Sequence, residues 1–277
     1  MSDQYAVFGN PIEHSVSPMI HRSFAQQTNQ HLTYSKQKIE QDVFEDRVSD
    51  FFSSGGCGLN ITVPFKERAF EMCDVLSPRA RYAGAVNTLL MKDGQLMGDN
   101  TDGIGLVRDI QDSCGWTLRN KRLLIIGAGG AARGALLPLL ETQPQGVTLT
   151  NRTYARAELL QKRLDGHVDD VTVHAVPMEV LGNESIFDVI INTTSAGLLG
   201  ETLALPAVLC GPNTCCYDMS YDMSANEPST LFLQWARKCG ADQVADGFGM
   251  LLEQAAESFS LWRGVLPSTT ELRQSMR

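Results

Sequence analysis

Four groups of residues along this chain carry side chains suited to chemistry. Ser15 and Ser17 flank Val16 just ahead of Pro18. Two hydroxyls and the free amides of a new helix can therefore converge on one anion, such as a small carboxylate; capping of the helix by Ser17 is the plainer alternative. Asn60-Ile61-Thr62 alternates in an expected strand, which puts the Asn and Thr side chains on one face, and the chain then turns through Pro64 to bring Lys66 close behind. Asp102, within Gly98-Asp99-Asn100-Thr101-Asp102-Gly103, is a possible ionic and hydrogen-bonding partner at a domain junction, where ligand clefts form. Gly127-Ala128-Gly129-Gly130-Ala131-Ala132 matches G-x-G-x-x-G/A, with alanine at the third small position.

The glycine turn predicts a dinucleotide site. The first glycine permits the turn, and the second lets backbone amides approach a pyrophosphate at the helix N-terminus. NAD-selective sites place Asp or Glu after the next strand, to bind the ribose 2′-hydroxyl. Here residues 147–150 are followed by Asn151-Arg152-Thr153, with no acid. Guanidinium groups at Arg152 and Arg156, with the Thr153 hydroxyl, suit a 2′-phosphate instead. Cations at a helix N-terminus oppose its dipole, and a bound anion explains their placement. The expected cofactor is NADP.

These groups need a scaffold, and the apolar pattern predicts alternating strands and helices. Strands are expected over 5–8, 32–39 and 59–63, with helices over 17–27 and from Asp42 (as cap) to Gly55-Gly56. Another helical stretch begins at Pro64, and a hairpin over 86–91 and 95–98 turns at Asp93-Gly94. A second unit opens on the Asn100-Thr101-Asp102 cap. It continues with an apolar strand over 122–126, the glycine turn, a helix over 131–140, and strands over 147–150, 171–176, 189–192 and 216–219. Helices over 155–164, 231–238 and 249–263 complete an α/β, doubly wound arrangement.

Composition narrows the functional classes. Hydrophobic residues at 43% and charged residues at 20% predict a folded globular chain. The net charge of −9 repels phosphate backbones and argues against nucleic-acid binding. The opening residues lack a basic n-region and apolar h-region, and the uncharged stretch 202–217 is broken by Pro206, Gly211 and Pro212. Neither export nor a membrane span is expected, and a cytoplasmic location follows. Seven cysteines, an odd number without a C-x-x-C pair, read as reduced thiols; His167 and His174 lack ligand partners at metal-site spacing, so no metal is expected.

Taken together, the chain resembles the shikimate dehydrogenases. The matching stretches are Gly9-Asn10-Pro11-Ile12-Glu13-His14-Ser15-Val16-Ser17-Pro18, Asn60-Ile61-Thr62-Val63-Pro64-Phe65-Lys66, Gly84-Ala85-Val86-Asn87-Thr88 and the Gly98 to Gly103 motif. Downstream they continue with the glycine turn, Asn151-Arg152-Thr153, Asn192-Thr193-Thr194-Ser195, Tyr217-Asp218-Met219, and Asp246-Gly247-Phe248-Gly249-Met250 with Gln254. The resemblance implies reversible, NADP-dependent conversion of shikimate to 3-dehydroshikimate in aromatic amino-acid (chorismate) biosynthesis. It implies an α/β substrate domain, residues 1–101 and 247–277, and a Rossmann-type NADP domain, residues 102–246, with a cleft between them. By position, Ser15 and Ser17 hold the substrate carboxylate, while Asn60, Thr62, Asn87, Asp102, Tyr221 and Gln254 contact the substrate. Lys66 transfers the proton and Asp102 orients it. Gly127, Ala128, Gly129, Gly130, Ala131, Asn151, Arg152, Thr153, Arg156, Met219, Gly247 and Met250 fall to the cofactor. The expected partners are a small-molecule substrate, no nucleic acid and no membrane, in a monomer or homodimer.

Three alternatives stay open at this level: a quinate/shikimate dehydrogenase with broader substrate or cofactor use, a folate-pathway dehydrogenase, and a non-catalytic nucleotide-binding module. Arg152 without an acidic neighbour opposes NAD use, and the paired serines with Lys66 and Asp102 oppose the other two. One departure from the family is the segment 222–231, where Asp222-Met223-Ser224-Ala225-Asn226-Glu227-Pro228-Ser229-Thr230-Leu231 replaces a Thr-Pro-Phe-Leu run.

Overall fold

A computed structural model describes residues 2–164, 171–223 and 227–276. His167 and residues 224–226 of the atypical segment lie outside them. The chain divides into two compact units, one of Met1–Gly105 with Leu252–Met276 and one of Leu106–Leu251.

The first unit holds strands β1 (Asp3–Gly9), β2 (Leu32–Lys38), β3 (Gly56–Ile61), β4 (Val75–Leu76), β5 (Thr88–Lys92) and β6 (Gln95–Asp99). Among the described residues they form a six-stranded sheet in the order β2-β1-β3-β5-β6-β4. β1 runs parallel to β2 and β3, and β5 runs antiparallel to β3 and β6. The hairpin forms where its turn chemistry predicts: Asp93 and Gly94 both take positive φ, 52° and 77°, as a two-residue turn between twisted strands requires. β4, only two residues long, carries too little pattern to be seen in sequence.

One face of this sheet buries Phe8, Leu59, Ile61 and Leu89 with Phe44, Val48 and Phe65. The Phe44 and Phe65 rings stack 4.4 Å apart, so the helices Phe44–Ser53 and Lys66–Met72 are anchored through residues at their first turns. Asp42 does not cap the first of these. It lies in a short 3-10 turn, Gln41–Val43, that leads into the helix.

Helices Ser17–Gln27 and Phe248–Arg263 meet through the Phe24 and Phe259 rings, 5.8 Å apart and edge-on. The boundary between units falls within the latter helix, so its residues from Leu252 onward belong with the first unit. Gly105, in the helix Asp102–Arg108, makes that association tight. A Cβ there would lie 2.7 Å from the Gln254 amide nitrogen and 2.8 Å from its Cβ.

The second unit holds β7 (Arg122–Ile126), β8 (Gly146–Thr150), β9 (Thr172–Ala175), β10 (Val189–Asn192), β11 (Cys215–Asp218) and β12 (Gln243–Asp246). Described residues give a six-stranded parallel sheet in the order β12-β11-β10-β7-β8-β9. That is the doubly wound order, with the direction in which strands are added to the sheet reversing between β7 and β10. Leu123, Leu124, Ile125 and Ile126 of β7 are all buried, as a central parallel strand covered on both faces requires. β12 and a last helix, Thr270–Ser275, add to the elements read from sequence. Among the described residues no helix is long and apolar enough to cross a membrane.

Gly105→Ala should force the helix carrying Gln254 away from that carrying Asp102, because the obstructing atoms include backbone. Chemical denaturation should show a loss of about 1–3 kcal/mol; an unchanged midpoint would mean that the helices separate at no cost.

Candidate active site

In the first unit, several of the polar groups singled out in sequence form a network that ends on Lys66. It is the first residue of the helix Lys66–Met72, and its backbone carbonyl accepts from the Val86 amide, 2.9 Å away. Its ammonium lies 2.5 Å from Asp102 Oδ2, with the two side chains 30% and 13% exposed. Asp102 opens its own helix, where a carboxylate meets the positive end of the dipole, and its amide donates to Asn100 Oδ1 at 3.1 Å.

Asn87 fixes the second carboxylate oxygen. Its Nδ2 donates to Asp102 Oδ1 at 2.8 Å and to Thr101 Oγ1 at 2.9 Å, and reaches Gln254 Oε1 at 3.4 Å. Its Oδ1 accepts from the Thr101 amide and the Thr88 hydroxyl, both at 2.9 Å. Asn60 continues the network: Nδ2 lies 3.1 Å from both the Asn87 carbonyl and Ser258 Oγ, and Oδ1 accepts from the Tyr34 hydroxyl at 2.7 Å. Thr62 follows β3, its amide donating to the Phe8 carbonyl at 3.0 Å.

Ser15 and Ser17 point together, their Oγ atoms 3.2 Å apart. Ser17 does not cap its helix. It is the first helical residue, Val16 occupies the cap position, and Ser15 Oγ accepts from the Ser17 amide at 3.4 Å. The free helix amides expected here are absent: Pro18 has no N–H, and the Met19 and Ile20 amides donate back to the Val16 carbonyl at 3.0 and 3.2 Å, which leaves the two hydroxyls as the polar groups at this helix start.

Tyr34, Thr88, Thr101 and Ser258 belong to this network but were not picked out by chemistry in the sequence. Ser258 stood one helical turn after Gln254, on the same face, which is a usable signal. Tyr34 had none, because it reaches Asn60 across the intervening β1.

The second unit carries the glycine turn between β7 and the helix Gly130–Glu141. Gly127 has φ +117°, and a Cβ there would run into the Thr193 hydroxyl after β10, so neither the backbone nor the space admits another residue. Gly129 occupies the helix cap position, and a Cβ on it would meet nothing within 4 Å. The approach to the first helix amides is open, with Ala128, Gly130 and Ala131 beside it, as a pyrophosphate requires. Beyond β8, the Asn151 side chain donates to the Thr153 carbonyl at 2.9 Å. Arg152, Thr153 and Arg156 are exposed at the start of the helix Tyr154–Lys162.

The ends of β10 and β11 are joined through Asp218. Its buried carboxylate accepts from Asn192 Nδ2 at 3.1 Å, the Ser220 amide at 3.0 Å and Thr230 Oγ1 at 2.6 Å, while burial raises its pKa above the usual carboxylate value. Gly247 lies against the Met219 backbone, so a side chain there would collide with it. The Tyr221 ring meets Phe248 edge-on at 6.4 Å, and Met250 is buried. Thus the residues assigned by sequence to the cofactor fall in the second unit. Those assigned to substrate fall in the first, apart from Tyr221.

Comparison with known proteins decides the family. Residues 7–89 match the shikimate dehydrogenase substrate binding domain, 108–199 the shikimate/quinate 5-dehydrogenase family, and 247–277 the shikimate 5′-dehydrogenase C-terminal domain. The chain is 51% identical to a shikimate dehydrogenase (NADP(+)) of Alkalilimnicola ehrlichii, covering 100% of this chain and 99% of that one. The chain belongs to the shikimate dehydrogenase family. Its fold matches the crystal structure of an Ael1 enzyme from Pseudomonas putida, with TM-score 0.92, 45% identity and coverage of 99% and 98% of the two chains. A Thermus thermophilus shikimate 5-dehydrogenase, solved in complex with NADP(H) and shikimate, matches with TM-score 0.85, 30% identity and the same coverage.

His21, one turn beyond Ser17, packs on Tyr34, the residue that donates to Asn60. Its ring is 1% exposed, stacks on Tyr34 at 4.2 Å and lies 5.4 Å from Trp262. Burial pushes its pKa down to about 3, so the native imidazole stays neutral at ordinary pH. The unfolded chain, titrating near the ordinary value of about 6.5, then binds a proton that the native chain refuses. The contribution of His21 to stability is complete above about 6.5 and is lost as pH falls toward 3. Against a His21→Phe variant, the parent should lose about 1.4 kcal/mol per pH unit through that window. Parallel stability curves would mean that His21 is protonated in the folded state.

Proposed function

We propose that this chain interconverts 3-dehydroshikimate and shikimate with NADP, the first unit binding substrate and the second binding cofactor. The observation that carries the chemistry is Lys66 Nζ held 2.5 Å from Asp102 Oδ2, with the other carboxylate oxygen already engaged by Asn87. NADP, when bound, supplies or accepts the hydride.

The substrate carboxylate lies against the Ser15 and Ser17 hydroxyls, which stand side by side at the start of their helix. Asn60, Thr62, Asn87, Asp102 and Gln254 meet the ring oxygens. In the reductive direction negative charge builds on the substrate carbonyl oxygen. The Lys66 ammonium stabilises that charge and gives up its proton there; in the oxidative direction the lysine takes a proton from the hydroxyl. Asp102 holds the lysine by one oxygen and is itself held by the other, so the proton-bearing nitrogen keeps one position through the reaction.

The glycine turn, Gly127 to Ala131, takes the pyrophosphate on its backbone amides. Arg152, with Asn151, Thr153 and Arg156, takes the 2′-phosphate, and Met219, Gly247 and Met250 line the opposite strand ends. The open space over Gly129 and the exposed guanidinium groups support this placement.

Lys66→Ala should lower turnover by about a hundredfold to ten-thousandfold while NADP still binds. Lys66→Arg should not restore it, because a guanidinium keeps the charge but does not release a proton. Turnover near the parent value in either variant would remove Lys66 from proton transfer. Separately, Arg152→Ala should weaken NADP by about 1.5–3 kcal/mol and leave NAD nearly unaffected. Equal losses for the two cofactors, read by equilibrium binding, would remove Arg152 from the 2′-phosphate.

A further inference from the structure

Arg152 already has an anionic partner. Its Nη1 lies 3.4 Å from Glu201 Oε2, the two side chains being 87% and 54% exposed. Glu201 does not come from the strand end that carries Arg152. It follows the turn Ala196–Leu199, after β10, where Gly200 takes φ +72° and the Glu201 amide donates to the Ala196 carbonyl at 2.9 Å. The backbone of the acid is therefore fixed by a closed turn, and its carboxylate is delivered to Arg152 from a neighbouring loop.

This changes the reading of residues 147–153. The acid that an NAD site carries after its second strand is missing there, yet a carboxylate reaches the same guanidinium from elsewhere. Resting on the assignment of Arg152 to the 2′-phosphate, we propose that Glu201 is a specificity-determining residue that restrains the preference for NADP over NAD. Three physical effects act in that direction. The Arg152–Glu201 pair must open before the guanidinium can take a phosphate. The phosphate, with about −1.5 to −2 charges at neutral pH, is repelled by the carboxylate. A ribose 2′-hydroxyl has no charge to repel and donates a hydrogen bond to the same carboxylate.

Because both side chains are exposed, the effect is modest and falls with ionic strength. In Glu201→Gln the dissociation constant for NADP, measured by titration calorimetry at low salt, should fall about two- to fivefold, with no tightening of NAD. The NADP-to-NAD affinity ratio should rise, and the gain should shrink as salt is added. An unchanged or lowered ratio overturns the role of Glu201. The Arg152→Ala variant separates this outcome from failure of the underlying assignment. If Arg152→Ala collapses the ratio while Glu201→Gln leaves it unmoved, only Glu201 is misassigned; if Arg152→Ala leaves the ratio intact, the placement of the 2′-phosphate itself fails. An exposed glutamate replaced by its amide leaves the fold in place, so the comparison is between folded proteins.

Discussion

A carboxylate partly withdrawn from water is stable only when each of its oxygens is satisfied, and the first unit is organised around meeting that condition at Asp102. One oxygen takes Lys66 and the other takes Asn87. Asn87 then has a carbonyl oxygen to satisfy, and Thr88 and Thr101 supply donors to it. Asn60 and Ser258 fill what remains, and Tyr34 closes the chain of polar contacts at the far strand. Buried Asn60, Asn87, Thr88, Thr101 and Ser258 would each be destabilising alone. Together they are mutually satisfied, and the geometry of the lysine follows from theirs.

The second unit meets a similar condition without a cation. Asp218, fully buried, is held by an amide side chain, a backbone N–H and a hydroxyl. Neutral donors hold the loops after β10 and β11 in register, while Arg152 and Arg156 stand at the surface. One unit thus uses a half-buried acid to hold Lys66 in place, and the other a buried acid to join strand ends beside the glycine turn.

Much of this was readable in the residues because local chemistry and long-range packing agree. The β7 strand, its glycine turn and the following helix are specified by a run of apolar residues and a backbone conformation that only glycine takes at Gly127. The hairpin at Asp93-Gly94 is specified by its turn residues. Helix starts were harder to read. Ser17 and Asp42 both have the chemistry of a cap, yet Ser15 engages the Ser17 amide and a 3-10 turn displaces Asp42 from the helix end. Contacts such as Tyr34 to Asn60, or Glu201 to Arg152, depend on strand order and on a turn from another loop, so no local spacing announces them. The shift of the His21 imidazole likewise arises from Tyr34, Phe259 and Trp262, residues far from it in the chain.

The first unit is built from two separated stretches of chain, and this bears on the order in which the protein takes shape during synthesis. The contact between Asn60 and Ser258 closes a separation of 198 residues, and Arg263 reaches back 260 residues to Asp3. Loop closure over such lengths contributes late, after shorter-range contacts have formed. The second unit is continuous from Leu106 to Leu251, and all of its strands have left the ribosome before Ser258 appears. Residues 2–105 then emerge early and wait, with the apolar surface that Phe259 and Trp262 will cover still bare. Nascent chains of this architecture are exposed to aggregation through their beginning rather than their end, and the interval lasts as long as the second unit takes to be made.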